Sequence, residues 1–133
     1  MKKYNSFFIR KNTKELIDKL KKYGFRHNTL DDLKCDFLIY NYGMYMSINL
    51  LYSDVYDYDC KENEDLFIAL CLYDRKGYGQ WYVMDVEVYD DIPKGTWFQN
   101  TDRSNKRHVG TQIDPLYCHP ASFEEIIEHF NKK

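Results

Sequence analysis

The stretch ENEDLFIALCLYDRKGYGQ, residues 62–80, decides the fold, because its apolar run fits either a buried strand or a short helix. Residues 66–73, LFIALCLY, are apolar throughout. Helix has a case: ENED supplies an acidic first turn, and leucine and alanine are good helix formers. Strand has the other: the run stops sharply at DRKGYGQ, where two glycines read as a turn. A strand over 66–73, buried on both faces in the middle of a sheet, is the expectation.

Upstream lies YSDVYDYDCKENEDLF, residues 52–67, with six carboxylates and three tyrosines. A calcium loop needs oxygen ligands at its first, third, fifth and twelfth positions and glycine at the sixth. Counted from Asp57, the fifth is Lys61 and the sixth is Glu62, so Asp57, Asp59, Glu62 and Glu64 do not form one. Adjacent acids on one loop also leave no cleft between them for glycoside hydrolysis. The stretch reads as a solvated turn whose acidic, tyrosine-rich surface suits a basic partner.

Further toward the N-terminus, YNSFFIRK, residues 4–11, reads as a strand, although SFFI does not alternate cleanly. A helix over 13–23 follows, with Asn12 as cap and Glu15 at the third helical position. Leu16, Ile17, Leu20 and Tyr23 form its apolar stripe, and Glu15–Lys19 and Asp18–Lys22 are favourable i,i+4 pairs. Gly24 supplies the left-handed residue that ends it, and Phe25 folds back. DFLIYNYGMYMSINLLY, residues 36–52, divides around NYG into hairpin strands 36–41 and 44–52. Met44, Met46, Ile48 and Leu50 would face the core, with Tyr45, Ser47 and Asn49 opposite.

Downstream, the glycines of RKGYGQ read as a hairpin turn, since a dinucleotide fingerprint needs a third glycine and a following helix. QWYVMDVEVY, residues 80–89, alternates with Tyr82, Met84, Val86 and Val88 inward. DIPKG is a turn and TWFQN a short strand. Residues 99–112 form a long exposed loop. A last helix spans 123–131, with Ser122 and Glu125 as a capping box and Phe123, Ile126, Ile127 and Phe130 as its stripe. The expected fold is one α+β domain over residues 1–133. It has a mostly antiparallel sheet of four to six strands, with helices 13–23 and 123–131 on one face.

Composition sets bounds. The 133 residues are 44% hydrophobic and 17% aromatic, enough for a core without metal or disulfide. Net charge is −2, yet bases outnumber acids by six over 1–34 and acids outnumber bases by nine over 35–102. A dedicated nucleic-acid domain is more basic overall. Cys35, Cys60, Cys71 and Cys118 include no CxxC pair, so no zinc framework is expected. With no run long enough for a signal peptide or a membrane span, a cytoplasmic setting with reduced thiols is expected.

Two further clusters bear on chemistry. In DPLYCHP, residues 114–120, Cys118 sits beside His119, with His108 and Asp114 upstream. Neighbours in an extended segment point to opposite sides, which disfavours a nucleophile–base pair. A partner histidine such as His27, or zinc held by His108, Cys118 and His119, is the minor alternative. Arg103, Lys106, Arg107 and His108, flanked by Trp97 and Phe98, form the strongest candidate binding patch, since cations beside aromatics suit phosphates and stacked bases.

The pieces FFIRKNTKELIDKLKKYGF, DCKENEDLFIALCLYD and GQWYVM resemble small proteins encoded by phages and mobile elements of gut bacteria. The resemblance covers roughly residues 5–85. It implies a mobile-element origin, transfers no activity and no site residue, and makes Asn63 a structural cap for the buried strand. The expected function is non-enzymatic binding, with no cofactor and a host protein as partner. Nucleic-acid or nucleotide binding through 103–108 is the alternative, and a small enzyme the third reading.

Overall fold

The computed structural model describes residues 6–27, 35–41, 44–48, 57–87, 92–100 and 117–132. Contacts group the chain into two compact units, Met1–Cys71 with Lys133, and Leu72–Lys132.

In the first unit, β1 (Ser6–Ile9), β2 (Arg26–His27), β3 (Phe37–Asn41), β4 (Met44–Ile48) and β5 (Asp57–Asp59) form one sheet in the order β2-β4-β3-β1-β5. The hairpin expected around NYG is present, with β3 and β4 antiparallel and Tyr40 opposite Tyr45. β1 pairs antiparallel with β3 and parallel with β5, and β2 pairs parallel with β4. All four residues of β1 are buried, which explains why SFFI lacks alternation: a strand covered on both faces has no polar side.

The hairpin's core face is the reverse of the expected one. Leu38, Tyr40 and Tyr45 are fully buried, whereas Met44 and Met46 are only half-buried. Period-two alternation identifies two faces but does not say which one a neighbouring layer will cover. Here the tyrosine face is the covered one. Tyr40 stacks on Phe7 at 5.8 Å and meets Phe25 edge-on at 5.7 Å, geometries that favour ring pairs beyond simple burial.

α1 (Lys14–Lys22) buries Leu16, Ile17 and Leu20. Its cap is Thr13 rather than Asn12: the Thr13 hydroxyl accepts from Leu16 N–H at 3.2 Å, while Asn12 donates to the Cys35 carbonyl. At the other end Gly24 has φ of 91°, its N–H donates to Lys21 O, and Phe25 N–H donates to Leu20 O. That pair of bonds is the Schellman arrangement, and buried Phe25 closes it.

The decisive correction falls on residues 66–73, which are helical. α2 (Glu64–Arg75) runs twelve residues, and the division between the two units lies within it. Asn63 is indeed a cap, but of a helix: its Oδ1 accepts from Leu66 N–H at 3.1 Å, and its carbonyl accepts from Phe67 N–H. Glu64 and Asp65 occupy the first turn, where the helix dipole favours negative charge. Leu66 through Leu72 are all buried. A helix covered on every side carries no polar stripe, so its sequence cannot be told from a buried strand by periodicity.

The second unit holds β6 (Trp81–Met84), β7 (Trp97–Gln99), β8 (Cys118–Pro120) and α3 (Phe123–Asn131). Its sheet is antiparallel in the order β7-β6-β8. β6 is shorter than expected, and Val86 lies outside it, 42% exposed rather than inward. RKGYGQ joins a helix to a strand and is not a hairpin turn. Gly79 has φ of 90°, and its N–H donates to Asn100 O beside the start of β6. The expected boundaries and capping box of α3 are both observed. Phe130 meets Trp81 at 5.5 Å and Trp97 at 6.1 Å, which docks α3 on the β6–β7 face.

The class is therefore α+β, with four of the six described pairings antiparallel. The expected single platform with two helices is replaced, among the described residues, by two sheets and three helices. With a helix where a central strand was expected, the strands before and after it enter separate sheets. No helix among the described residues is long and apolar enough to cross a membrane.

Candidate functional site

The second unit presents an open hollow of about 190 Å³ lined by Trp97, Glu125, Glu128, His129 and Lys132. β7 supplies Trp97, and one side of α3 with the residue after it supplies the rest. Spacing explains the grouping: 125, 128, 129 and 132 recur at i, i+3, i+4 and i+7, one stripe of a helix. The docked stripe carries Ile126 and Phe130, so this second stripe lies at its margin, beside the sheet's Trp97. The His129 ring stacks on the Trp97 indole at 3.9 Å and 16°. Glu128 and Lys132 are about three-quarters exposed and 3.8 Å apart. A pair so open contributes little energy, about 0–1 kcal/mol, and opens readily to a competing ion.

Beside the hollow, Glu125 belongs to a second cluster. Its Oε1 accepts from Ser122 N–H at 2.9 Å, closing the capping box, and Ser122 Oγ accepts from Glu125 N–H at 3.2 Å. Both Glu125 oxygens also lie 3.0 Å from His119 Nε2. The other ring nitrogen, Nδ1, contacts Asp85 Oδ1 at 2.5 Å. Burial pulls the His119 pKa down, but hydrogen bonds and charge from Glu125 and Asp85 outweigh it and hold the value above the ordinary one. For Glu125 burial pushes upward, and the bonds from Ser122 and His119 prevail, holding it below the carboxylate norm.

β8 also separates the Cys118–His119 pair. Cys118 is buried at 4% exposure, while His119 points to Asp85 and Glu125. The expected opposition of neighbours is thus observed, on β8 at the edge of its sheet. Of the expected patch, the flanking Trp97 and Phe98 can be placed, both on β7. Arg103, Lys106, Arg107 and His108 lie outside the described residues, as does Asp114.

Two of the acids around residue 60, Asp59 and Glu64, are paired. Asp59 accepts from Arg10 at 3.0 and 3.1 Å and caps Lys61 N–H at 2.8 Å. Glu64 pairs with Lys11 and Lys19. The hydrogen bond from Lys11, with that from Lys19, lowers the Glu64 pKa against the opposing effect of burial. Lys19 thus serves Glu64 instead of the expected i,i+4 partner Glu15. Over its described residues the stretch is a strand end and a helix start, with Asp59 and Glu64 held in ion pairs.

Sequence reasoning missed the Asp85–His119–Glu125 cluster and the acidic side of the hollow. Asp85 and His119 are 34 residues apart, and no local spacing links them. The i, i+3, i+4, i+7 recurrence of 125, 128, 129 and 132 was the available signal for the hollow, and it was eclipsed by the stronger apolar stripe. Comparison with known protein families, curated proteins and solved structures finds no match.

Proposed function

We propose that the chain is a non-enzymatic binding module, and that the hollow beside Trp97 receives a cationic side chain of a partner protein. The observation that carries this reading is the lining itself: an indole and an imidazole face, two carboxylates and one displaceable lysine. A lysine or arginine gains from the aromatic face and from Glu125 and Glu128 together, and Lys132 swings aside. Size points the same way. Small-molecule sites usually occupy about 300–1,000 Å³, whereas about 190 Å³ suits one side chain of a larger partner. The resemblance of residues 5–85 to phage- and element-encoded proteins supports a host protein as that partner.

General acid–base chemistry fits less well. His119 has a carboxylate on each ring nitrogen, which leaves neither free to exchange a proton with a substrate. His129 lies flat on an indole.

The test is a tryptophan-fluorescence titration with three probes: an arginine-rich peptide, a glutamate-rich peptide and a single-stranded oligonucleotide. The arginine peptide is expected to bind. Trp97→Ala and Glu128→Lys should each weaken it several-fold, the second without touching the packed face of α3. Binding of the oligonucleotide with no response to the peptide would replace this reading with the nucleic-acid one. Silence to all three rejects the hollow as a cation site.

A further inference from the structure

An ionised carboxylate accepts hydrogen bonds and donates none, and a neutral imidazole has a single N–H. His119 faces a carboxylate at both nitrogens, Asp85 at 2.5 Å and Glu125 at 3.0 Å. A neutral ring satisfies one contact and turns a lone pair toward the other. Only the imidazolium satisfies both, with Nδ1–H donating to Asp85 and Nε2–H to Glu125.

We propose that His119 is a proton-operated clasp, closed as the imidazolium and opened by loss of its proton, that ties the chain following β6 to the first turn of α3. Asp85 stands one residue past β6, His119 in the middle of edge strand β8, and Glu125 at the third position of α3. Backbone bonding brings the first two together, because Asp85 N–H donates to Tyr117 O at 2.8 Å. The capping box fixes the third. Among the described residues, the charged groups facing the ring are Asp85 from the β6 side and Glu125 from α3; on β8 itself its neighbour is the buried Cys118 thiol.

The clasp has two limbs. Because the His119 pKa is raised on folding, its stabilising effect is complete below the unfolded value and fades as pH climbs through the folded one. Because the Glu125 pKa is lowered, its effect is complete above the unfolded carboxylate value and is lost as pH falls through the folded one. The clasp is closed between those limits, from above the folded Glu125 value up to the folded His119 value. This device does not depend on what the hollow binds, though opening it removes the His119 bond from Glu125, which lines that hollow.

Nitrogen-15 NMR of the full chain across pH tests the proposal directly. Both His119 ring nitrogens are expected to be protonated below a midpoint that lies above the ordinary histidine value of about 6.5. The Ser122 and Glu125 amide signals should shift with that same midpoint. Asp85→Asn and Glu125→Gln should each lower the midpoint, and the Asp85 variant leaves the capping box intact as a folding control. A midpoint at or below about 6.5, or α3 amides indifferent to the titration, would overturn it.

Discussion

Single side chains in this chain act mostly through the backbone. Asn63 holds the start of α2 through Leu66 N–H. Asn63→Ala should cost about 1 kcal/mol, read from the urea midpoint at unchanged slope. Gly24, at φ of 91°, ends α1 in a conformation that a Cβ opposes. Gly24→Ala should cost about 1–2 kcal/mol in the same assay. The cysteines divide by burial: Cys60, Cys71 and Cys118 are enclosed, and Cys35 is half-exposed. Burial, reinforced by Asp59, pushes the Cys60 thiol far above its ordinary pKa, so almost none of it is the reactive thiolate. Mass spectrometry after brief native exposure to a thiol reagent should find Cys35 labelled first, and Cys60 only on unfolding.

At the scale of elements, the three helices differ in what makes them legible. α1 and α3 each bury one apolar stripe, and each starts at a hydroxyl cap that accepts from a backbone N–H three residues on. Their extents were therefore readable to within a residue. α2 is buried all round, and its composition served two interpretations equally. Two local features agree with the helix without deciding it: Asn63 directly before two acids, and Arg75 and Lys76 before the glycines. A glycine turn can follow a helix as well as a strand, so the abrupt stop decided nothing. Leu70 is fully buried in α2, and Leu70→Ala should cost about 2–5 kcal/mol on urea denaturation. Ser122→Ala, which removes one half of the α3 capping box, should cost about 1 kcal/mol.

Over the whole molecule, charge pairing sets how stability follows pH. Glu64, held by Lys11 and Lys19, has a lowered pKa and stabilises the fold above the unfolded glutamate value; that contribution is lost as pH falls through the folded value. Glu125 adds to the same acid limb, and His119 adds an alkaline limb of opposite sign. Stability measured by urea midpoint should therefore pass through a maximum between the two limbs. Glu64→Gln should flatten the acid side and leave the alkaline side unchanged. Salt should weaken these effects, because the lysines concerned are 39% and 54% exposed.

From residue order alone, the chain determined its local decisions. These were the cap at Ser122, the left-handed stop at Gly24, the pairing of β3 with β4 as a hairpin, and the extents of α1 and α3. Each rests on groups within a few positions of one another, where backbone hydrogen bonding and steric limits suffice. Only the tertiary structure decided which face of the β3–β4 hairpin is buried, that residues 64–75 coil, and that Asp85, His119 and Glu125 meet. Those outcomes depend on which surfaces come to exclude water from one another, and burial is a property of pairs of distant segments. An apolar run or a lone histidine carries no record of the partner that will cover it.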